Sequence, residues 1–283
     1  MTMKIKHQIL LMLTLLSFLI ETPSNAGTES ARQAMQNKNS PLIVMHTELG
    51  SIYIELFPAE APENTTYFLQ LIEGKIPSTS NPGYSPRYLD NLLIKQSIPG
   101  AFVQGADSRD HPFGGPTAKP DKEINANALG FDKMKLIDAE GYLHPNLSIK
   151  NTTDYEEKLL KPFLESNNIT SPDMIQNNQF SLFEKLSNLS LKQGLELQGH
   201  TFTDDLNSRA ISRGSLVLIE PGGPGFLLAL KDLPHLDGRY TVIGHIVEGI
   251  TLADKISQKT EELNAPVLLY STRVIQNSYV NDY

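Results

Sequence analysis

Residues 90–107 read DNLLIKQSIPGAFVQGAD. Two apolar runs in this stretch flank Ile98-Pro99-Gly100, and a Pro-Gly pair between apolar runs is typical of a turn. We therefore predict a strand, a turn and a second strand between Leu92 and Gln104. Beyond Asp107 the chain has the composition of a loop, centred on Gly114-Gly115-Pro116.

The residues upstream predict a hairpin and a helix. Residues 42–47 and 51–57 are two apolar runs around Glu48-Leu49-Gly50, and the second run alternates apolar with polar residues. This pattern indicates a β-hairpin. Pro62 and Gly74 are typical of a helix start and a helix end, and the apolar residues between them recur at helical spacing.

Downstream of residue 210 the strand pattern returns. Residues 214–219, 225–230, 240–247 and 267–275 have strand composition, and residues 252–259 have helical periodicity. Between the two strand regions, residues 129–209 contain few strand signals and several helix signals.

The helix signals of this middle segment are specific. Ser171 precedes Pro172 as a helix cap would, and Ser190 with Gln193 forms a possible capping box. Phe180 and neighbouring apolar residues recur at helical spacing. We interpret residues 129–209 as a helical insertion.

Several blocks of the chain resemble one known family, the cyclophilin-type peptidyl-prolyl isomerases. Residues 90–107 are similar to the family's Phe-His-Arg-Val-Ile-Pro-Gly-Phe run and its Gln-Gly-Gly-Asp sequel. Residues 236–244, LDGRYTVIG, followed by Val-Glu-Gly at 247–249, resemble the family's Leu-Asp-Gly-Lys-His-Val-Val-Phe-Gly block. The Gly-Gly-Pro at 114–116 and the acidic segment at 121–124 are similar to two further family features. The blocks keep the family's order.

The resemblance implies a mainly β fold, a closed eight-stranded antiparallel barrel capped by two helices. It covers roughly residues 42–126 and 213–275. We therefore divide the chain into a first barrel part at 41–128, the insertion at 129–209 and a second barrel part at 210–283.

The resemblance also implies an activity, the cis–trans isomerisation of Xaa-Pro peptide bonds. The family uses an apolar proline pocket and an Arg whose guanidinium donates around the prolyl amide. Gln96 occupies the position of that Arg, and Gln104 retains the family's glutamine; these two are the candidate catalytic residues. Lys95 is a poor substitute, because neighbouring strand residues point to opposite faces. We expect reduced activity.

The resemblance assigns the pocket to eight positions, several of which depart from the family. Family aromatics are replaced at Ala101 and Leu227, and the family's Trp and His are replaced by His235 and Tyr240. Arg239 aligns with a surface Lys of the family. The candidate substrate-binding residues are Ala101, Phe102, Ile219, Glu220, Phe226, Leu227, His235 and Tyr240.

A second interpretation stays open at this point. The chain could be a non-catalytic protein-interaction module of the same fold. In that case Ile219 fills the groove in which the family binds proline, and the insertion contacts the partner protein. Each pocket aromatic could equally be ordinary core, and Gln96 an ordinary solvent-facing residue. An open groove beside Gln96, Phe102 and Gln104 would favour the enzyme, and a filled one the module.

The N-terminus predicts export. Lys4 and Lys6 precede an apolar run at residues 9–20, and Pro23-Ser24-Asn25-Ala26 offers small residues at a cleavage site. We read residues 1–26 as a signal peptide and 27–40 as a flexible leader. The expected location is the periplasm or the outside of the cell, with no stable membrane span after cleavage.

Composition excludes several other classes of function. The chain has 283 residues, no Cys and a formal net charge of −8. The lack of Cys excludes disulfides, thiolate metal sites and a Cys nucleophile, and the acidic balance argues against nucleic acid as a partner. The seven His are dispersed, so we expect no metal site. We expect no cofactor either, because the reaction that the resemblance implies needs none. The expected partners are proline-containing segments or unfolded exported proteins.

Overall fold

The structure is a computed structural model that describes residues 23–105, 112, 114–118, 120–219 and 225–276. The strands in this part of the chain are β1 (Leu42–Thr47), β2 (Gly50–Leu56), β3 (Leu92–Ile94), β4 (Gln96–Ile98), β5 (Phe102–Gly105), β6 (Ser215–Leu218), β7 (Phe226–Ala229), β8 (Thr241–Glu248) and β9 (Val267–Ile275). They form one sheet in the order β3-β9-β1-β2-β8-β6-β7-β5-β4. Every neighbouring pair is antiparallel.

The predicted hairpin and the predicted strand-turn-strand unit are confirmed. In the hairpin, Thr47 pairs with Gly50, and Gly50 has a φ of +134°, which glycine adopts without a steric penalty. In the second unit, Ile98 pairs with Phe102 across the turn.

The two edge strands of the sheet, β3 and β4, are consecutive in the sequence. β3 pairs with β9 and β4 pairs with β5, yet only Lys95 separates β3 from β4. The sheet therefore curls until its ends adjoin, which gives the mainly antiparallel, barrel-like architecture that the resemblance implies. The sheet has nine strand segments, one more than the eight strands that the resemblance implies.

Helices are interspersed with the strands along the chain. They are α1 (Pro23–Ala34), α2 (Pro62–Glu73), α3 (Thr152–Tyr155), α4 (Lys161–Ser166), α5 (Pro172–Asn188), α6 (Leu191–Leu197) and α7 (Ile250–Glu262). One π-helical turn, Glu156–Leu160, joins α3 to α4, and 3₁₀ turns lie at Pro145–Leu147 and Pro234–Leu236. No helix in the described part of the chain is both long enough and apolar enough to cross a membrane.

The inward face of the sheet and two helices form the main core. Phe68 and Leu71 of α2 and Ile256 of α7 pack with inward strand residues such as Ile54 and Leu228. The start of α2 is stabilised by a distant carboxylate, because Glu123 accepts the backbone N–H groups of Glu63 and Asn64 at 2.9 and 2.7 Å. The two covering helices expected from the sequence are thus present.

The flexible leader expected at residues 27–40 is not what the structure shows. Residues up to Ala34 belong to α1, whose Ala31, together with the following Met35, packs on the outward side chains of β1 and β2. The buried carboxylate of Glu55 then accepts the backbone N–H groups of residues 36 and 37 at 2.7 and 2.8 Å. The prediction failed because the segment is polar overall and contributes few apolar side chains. Residues 1–22 of the predicted signal peptide lie outside the described residues.

Residues 129–209 contain helices α3 to α6, as the sequence predicted. The Ser171 hydroxyl accepts the N–H of Met174, and Ser190 with Gln193 makes a capping box. These helices enclose a separate core built around Phe131, Phe163 and other apolar residues. The helical spacing noted around Phe180 is confirmed by α5, in which Phe180 is 84% exposed while Leu182 and Leu186 are buried.

Candidate peptide-binding groove

Strand register places one row of residues across the outward face of the sheet. Gln96 lies opposite Gln104, Gln104 opposite Leu227, and Leu227 opposite Val217. Directly paired residues in an antiparallel sheet project to the same face. The row therefore carries two glutamine positions at one end and apolar side chains at the other.

A second outward row runs beside the first. Ile98 pairs with Phe102, and Phe102 pairs with Ala229. Ile98 is 53% exposed and Phe102 is half-buried, so this row is open to solvent at its β4 end. Leu227, Val217 and Ala229 are at most 3% exposed, so away from β4 the two rows are covered.

The apolar side chains of these rows pack into one cluster outside the main core. Its members are Phe57, Ala101, Ile211, Val217, Leu227, Ala229, Leu233 and Val242, with Phe102, Ile219, Leu236 and Tyr240 packed at its border. Five of the eight predicted pocket residues meet here: Ala101, Phe102, Ile219, Leu227 and Tyr240. Leu236 was missed, although its position beside His235 in the family-like block could have pointed to it.

The prediction that Phe226 binds substrate is wrong. It belongs to the inward core and is fully buried, because β-strand side chains alternate and its neighbour Leu227 is the outward one. Its ring lies over Gly105, where an added Cβ would come within 2.5 Å of the ring. Phe226 thus fills the barrel and does not line the groove.

The other predicted residues are placed as follows. His235 lies exposed on the 3₁₀ turn Pro234–Leu236, outside the packed cluster. Gln96 is placed by its backbone in β4, opposite Gln104. Glu220 lies outside the described residues, as does the Pro-Gly-rich segment that follows it.

A cavity of about 480 Å³ lies against the glutamine end of the rows. Its walls include Ile98, Phe102 and Gln104 from the sheet and Thr260, Glu261 and Asn264 from the end of α7 and beyond. Open space therefore exists beside Phe102 and Gln104. The wall from α7 was not predictable from the sequence, because that contact depends on the way the sheet curls.

The turn before β8 is fixed from beneath by a buried carboxylate. Asp237 accepts the N–H of Ile211 at 2.7 Å, and burial, aided by nearby Asp232, raises the pKa of Asp237 to about 6. Gly238, next in the chain, has a φ of +77°, a conformation that favours glycine. This turn positions Leu236 and Tyr240 at the border of the cluster.

Comparison with known proteins assigns the family. The model of the cyclophilin type peptidyl-prolyl cis-trans isomerases matches residues 42–153 and 171–276, which is more than half of the chain. The chain belongs to this family. The match includes both ends of the predicted insertion and omits residues 154–170, so a short part of that segment is unlike the family model.

Individual relatives of this cyclophilin match shorter stretches. Peptidyl-prolyl cis-trans isomerase A of Mycobacterium tuberculosis is 35% identical over 106 residues, which is 35% of this chain and 58% of the relative. A peptidyl-prolyl cis-trans isomerase of Helicobacter pylori is 43% identical over 58 residues, 18% of this chain and 36% of the relative. The chain thus matches little more than half of the first relative's length and about a third of the second's.

Two solved structures are also similar to this cyclophilin. One is a cyclophilin type peptidyl-prolyl cis-trans isomerase of Cryptosporidium parvum, with 15% identity, a TM-score of 0.44 and coverage of 84% of this chain and 99% of that one. The other is a cyclophilin from Hirschia baltica, with 14% identity, a TM-score of 0.45 and coverage of 85% and 76%.

Proposed function

We propose that this cyclophilin catalyses the cis–trans isomerisation of Xaa-Pro bonds in exported polypeptides, at a rate reduced by Gln96. The observation that carries the proposal is the cavity lined by Ile98, Phe102 and Gln104, because Phe102 also packs at the border of the outward apolar cluster. An apolar surface next to an amide donor is what a proline ring and its flanking peptide group require.

The reaction needs no nucleophile and no cofactor. The uncatalysed barrier is about 18–20 kcal/mol because rotation breaks amide resonance. A site lowers that barrier if it binds the twisted amide better than either planar form. In this chain Phe102, Leu227 and Tyr240 would hold the ring, while Gln104 would bind the peptide main chain.

Gln96 accounts for the expected loss of rate. A guanidinium forms charge-assisted hydrogen bonds worth roughly 1.5–3 kcal/mol, against about 0.5–1.5 kcal/mol for a neutral amide. A deficit of about 1–2 kcal/mol in the transition state corresponds to a roughly five- to thirtyfold slower reaction.

The proposal that the substrates are exported proteins rests on the N-terminal sequence. Two Lys, an apolar run of twelve residues and a small-residue site have the order of a signal peptide. An exported protein folds outside the cytoplasm, where prolyl isomerisation takes tens to hundreds of seconds per event. An isomerase in the same compartment would accelerate this step.

NMR exchange spectroscopy on Xaa-Pro peptides tests the activity, since it reports binding and cis–trans exchange together. We expect the protein to accelerate exchange, and Phe102→Ala to abolish most of the acceleration. Phe180→Ala is the matched control, because that ring is exposed on α5 and lies outside the outward cluster. Unaltered exchange and unshifted peptide signals with the wild-type protein would refute the proposal.

A second candidate function has its own support. On α5, Phe180 and Phe183 are 84% and 70% exposed and stand three residues apart, so the two rings neighbour each other. Exposed aromatic pairs are typical of protein contacts. If peptides shift signals of α5 without faster exchange, the chain is an interaction module that uses the insertion.

A further inference from the structure

Two basic side chains converge where the insertion meets the start of β8. Lys122 precedes Glu123, whose N–H donates to the Thr241 hydroxyl at 3.1 Å, and Arg239 lies two residues before Thr241. The Nη2 of Arg239 donates to the backbone oxygen of Asn146, which belongs to the insertion. Lys122 and Arg239 are thus held together although they are far apart in the sequence. We call this pair the basic pair.

Neither member of the basic pair has a counter-ion among the residues that the structure describes. The structure records no ion pair and no hydrogen bond for the Lys122 ammonium within that part of the chain. The Nε of Arg239 is enclosed and lacks a hydrogen-bond partner there. Both side chains are half-buried, so water compensates their charges only in part.

Neighbouring carboxylates are engaged elsewhere. Glu123 accepts the first backbone N–H groups of α2, and Asp237 accepts the N–H of Ile211. Asp204 forms an ion pair with Lys192. Two adjacent cations without an acid partner are unexpected in a chain whose formal net charge is −8. The arrangement costs free energy that a bound anion would recover.

The electrostatics agree with this geometry. Burial and then the neighbouring Arg239 lower the pKa of Lys122, and burial lowers the pKa of Arg239. His200 of the insertion lies near both: burial, Lys122 and Arg239 together lower its pKa to about 4. His200 is therefore neutral at pH 7, and the positive charge at this place belongs to the basic pair alone.

The basic pair adjoins the groove. Arg239 directly precedes Tyr240, which packs at the border of the outward cluster and interacts electrostatically with the guanidinium. The resemblance aligns Arg239 with a surface Lys of the family, whereas here its Nη2 donates to Asn146 of the insertion.

We propose that Lys122 and Arg239 form an anion subsite at the end of the groove, which binds a carboxylate side chain of the polypeptide substrate. This inference rests on the proposed function, since it assumes that the groove binds a peptide. It predicts a preference for Asp or Glu at a fixed distance from the proline.

The test uses pairs of short Ala-Ala-Pro-Ala-Ala peptides that carry Glu or Gln at one position, scanned on both sides of the proline. At one position we expect the Glu peptide to bind about tenfold more tightly than its Gln partner, the factor of one charge-assisted hydrogen bond. The preference should shrink as NaCl is raised. Exchange spectroscopy gives KM and kcat for each peptide, and the preference should appear in KM.

Variants locate the effect. Lys122→Gln and Arg239→Gln should each reduce the preference to less than about threefold, while Arg239→Lys should retain most of it. Lys192→Gln is the matched control, because it removes the same charge from an ion pair with Asp204 nearby. Equal binding of Glu and Gln peptides at every position, or a preference that survives both substitutions, would overturn the inference.

A readout independent of catalysis separates this inference from the proposed function. The Arg239 Nε–H signal should shift with the Glu peptide and not with the Gln peptide, even where no peptide exchanges faster. A response of that signal without any acceleration of exchange would support the anion subsite and refute the proposed isomerase activity. Acceleration of exchange without such a response would support the proposed isomerase activity and refute the anion subsite.

Discussion

Replacing Gln96 with Arg should raise activity if Gln96 stands at the position of the family's Arg, as we propose. Gln96 lies in β4 directly opposite Gln104, in the outward row that continues to Leu227. Directly paired residues of an antiparallel sheet share a face, so we expect an introduced Arg on the face of the apolar cluster. The guanidinium of Gln96→Arg would therefore meet the amide of a proline held by that cluster.

The size of the gain follows from the type of hydrogen bond. Exchanging a neutral donor for a charged, forked one adds about 1–2 kcal/mol, which is a roughly five- to thirtyfold increase in kcat/KM. The bond is strongest to the twisted amide, so the increase should appear mainly in kcat. Gln96→Lys, a point charge without the fork, should recover less.

The assay is NMR exchange on one Xaa-Pro peptide, with thermal unfolding measured in parallel. Gln33→Arg is the matched control, because it adds the same charge at an exposed position of α1. The reasoning is refuted if Gln96→Arg folds normally, binds the peptide and exchanges it no faster than the wild type. In that case the loss of activity lies in the apolar pocket and not in the missing Arg.

Three further predictions concern the fold. Phe226→Ala should lower the free energy of unfolding by about 3–5 kcal/mol in denaturant titration, because it empties the main core; a loss under 1 kcal/mol would contradict its inward placement. Asp237→Asn should raise Tm at pH 7 and leave it nearly unchanged below pH 4. Because the pKa of Asp237 is raised in the folded protein, the stability of the wild type falls as pH rises from 3.8 to about 6, and the Asn variant does not lose this contribution. An equal effect at both pH values would argue against this explanation. Ala31→Glu should lower Tm by several degrees, since Ala31 is fully buried against β1 and β2, whereas a flexible leader would tolerate it.

The element order was predictable because its signals are local. Pro62 and Gly74 bound α2, and Ser171 and Ser190 begin α5 and α6 as capping residues do. Such signals depend on dihedral angles and hydrogen bonds within a few residues. They require no knowledge of tertiary contacts.

The facing of β7 was not predictable from its own residues. Phe226, Leu227, Leu228 and Ala229 are all apolar, so the period-2 pattern contains no polar residue to mark the outward face. Both faces of this strand are buried, one in the main core and the other in the outward cluster. Only the register with β5 and β6 decides that Leu227 is the groove residue.

Two other features depend on contacts between distant parts of the chain. α1 is held by Glu55 and by the outward side of β1 and β2, which its own polar sequence does not indicate. The basic pair forms because Glu123 and Thr241 are hydrogen-bonded, and the insertion then covers it. Sequence spacing carries no information on either arrangement.

The central claim is that the outward cluster holds the proline ring. Intermolecular NOEs between the proline protons of a bound Xaa-Pro peptide and the protein test this claim most directly. We expect NOEs to Phe102, Leu227 and Tyr240 and none to Phe226, which lies on the other side of the sheet. NOEs confined to Phe180 and Phe183 of the insertion would contradict it.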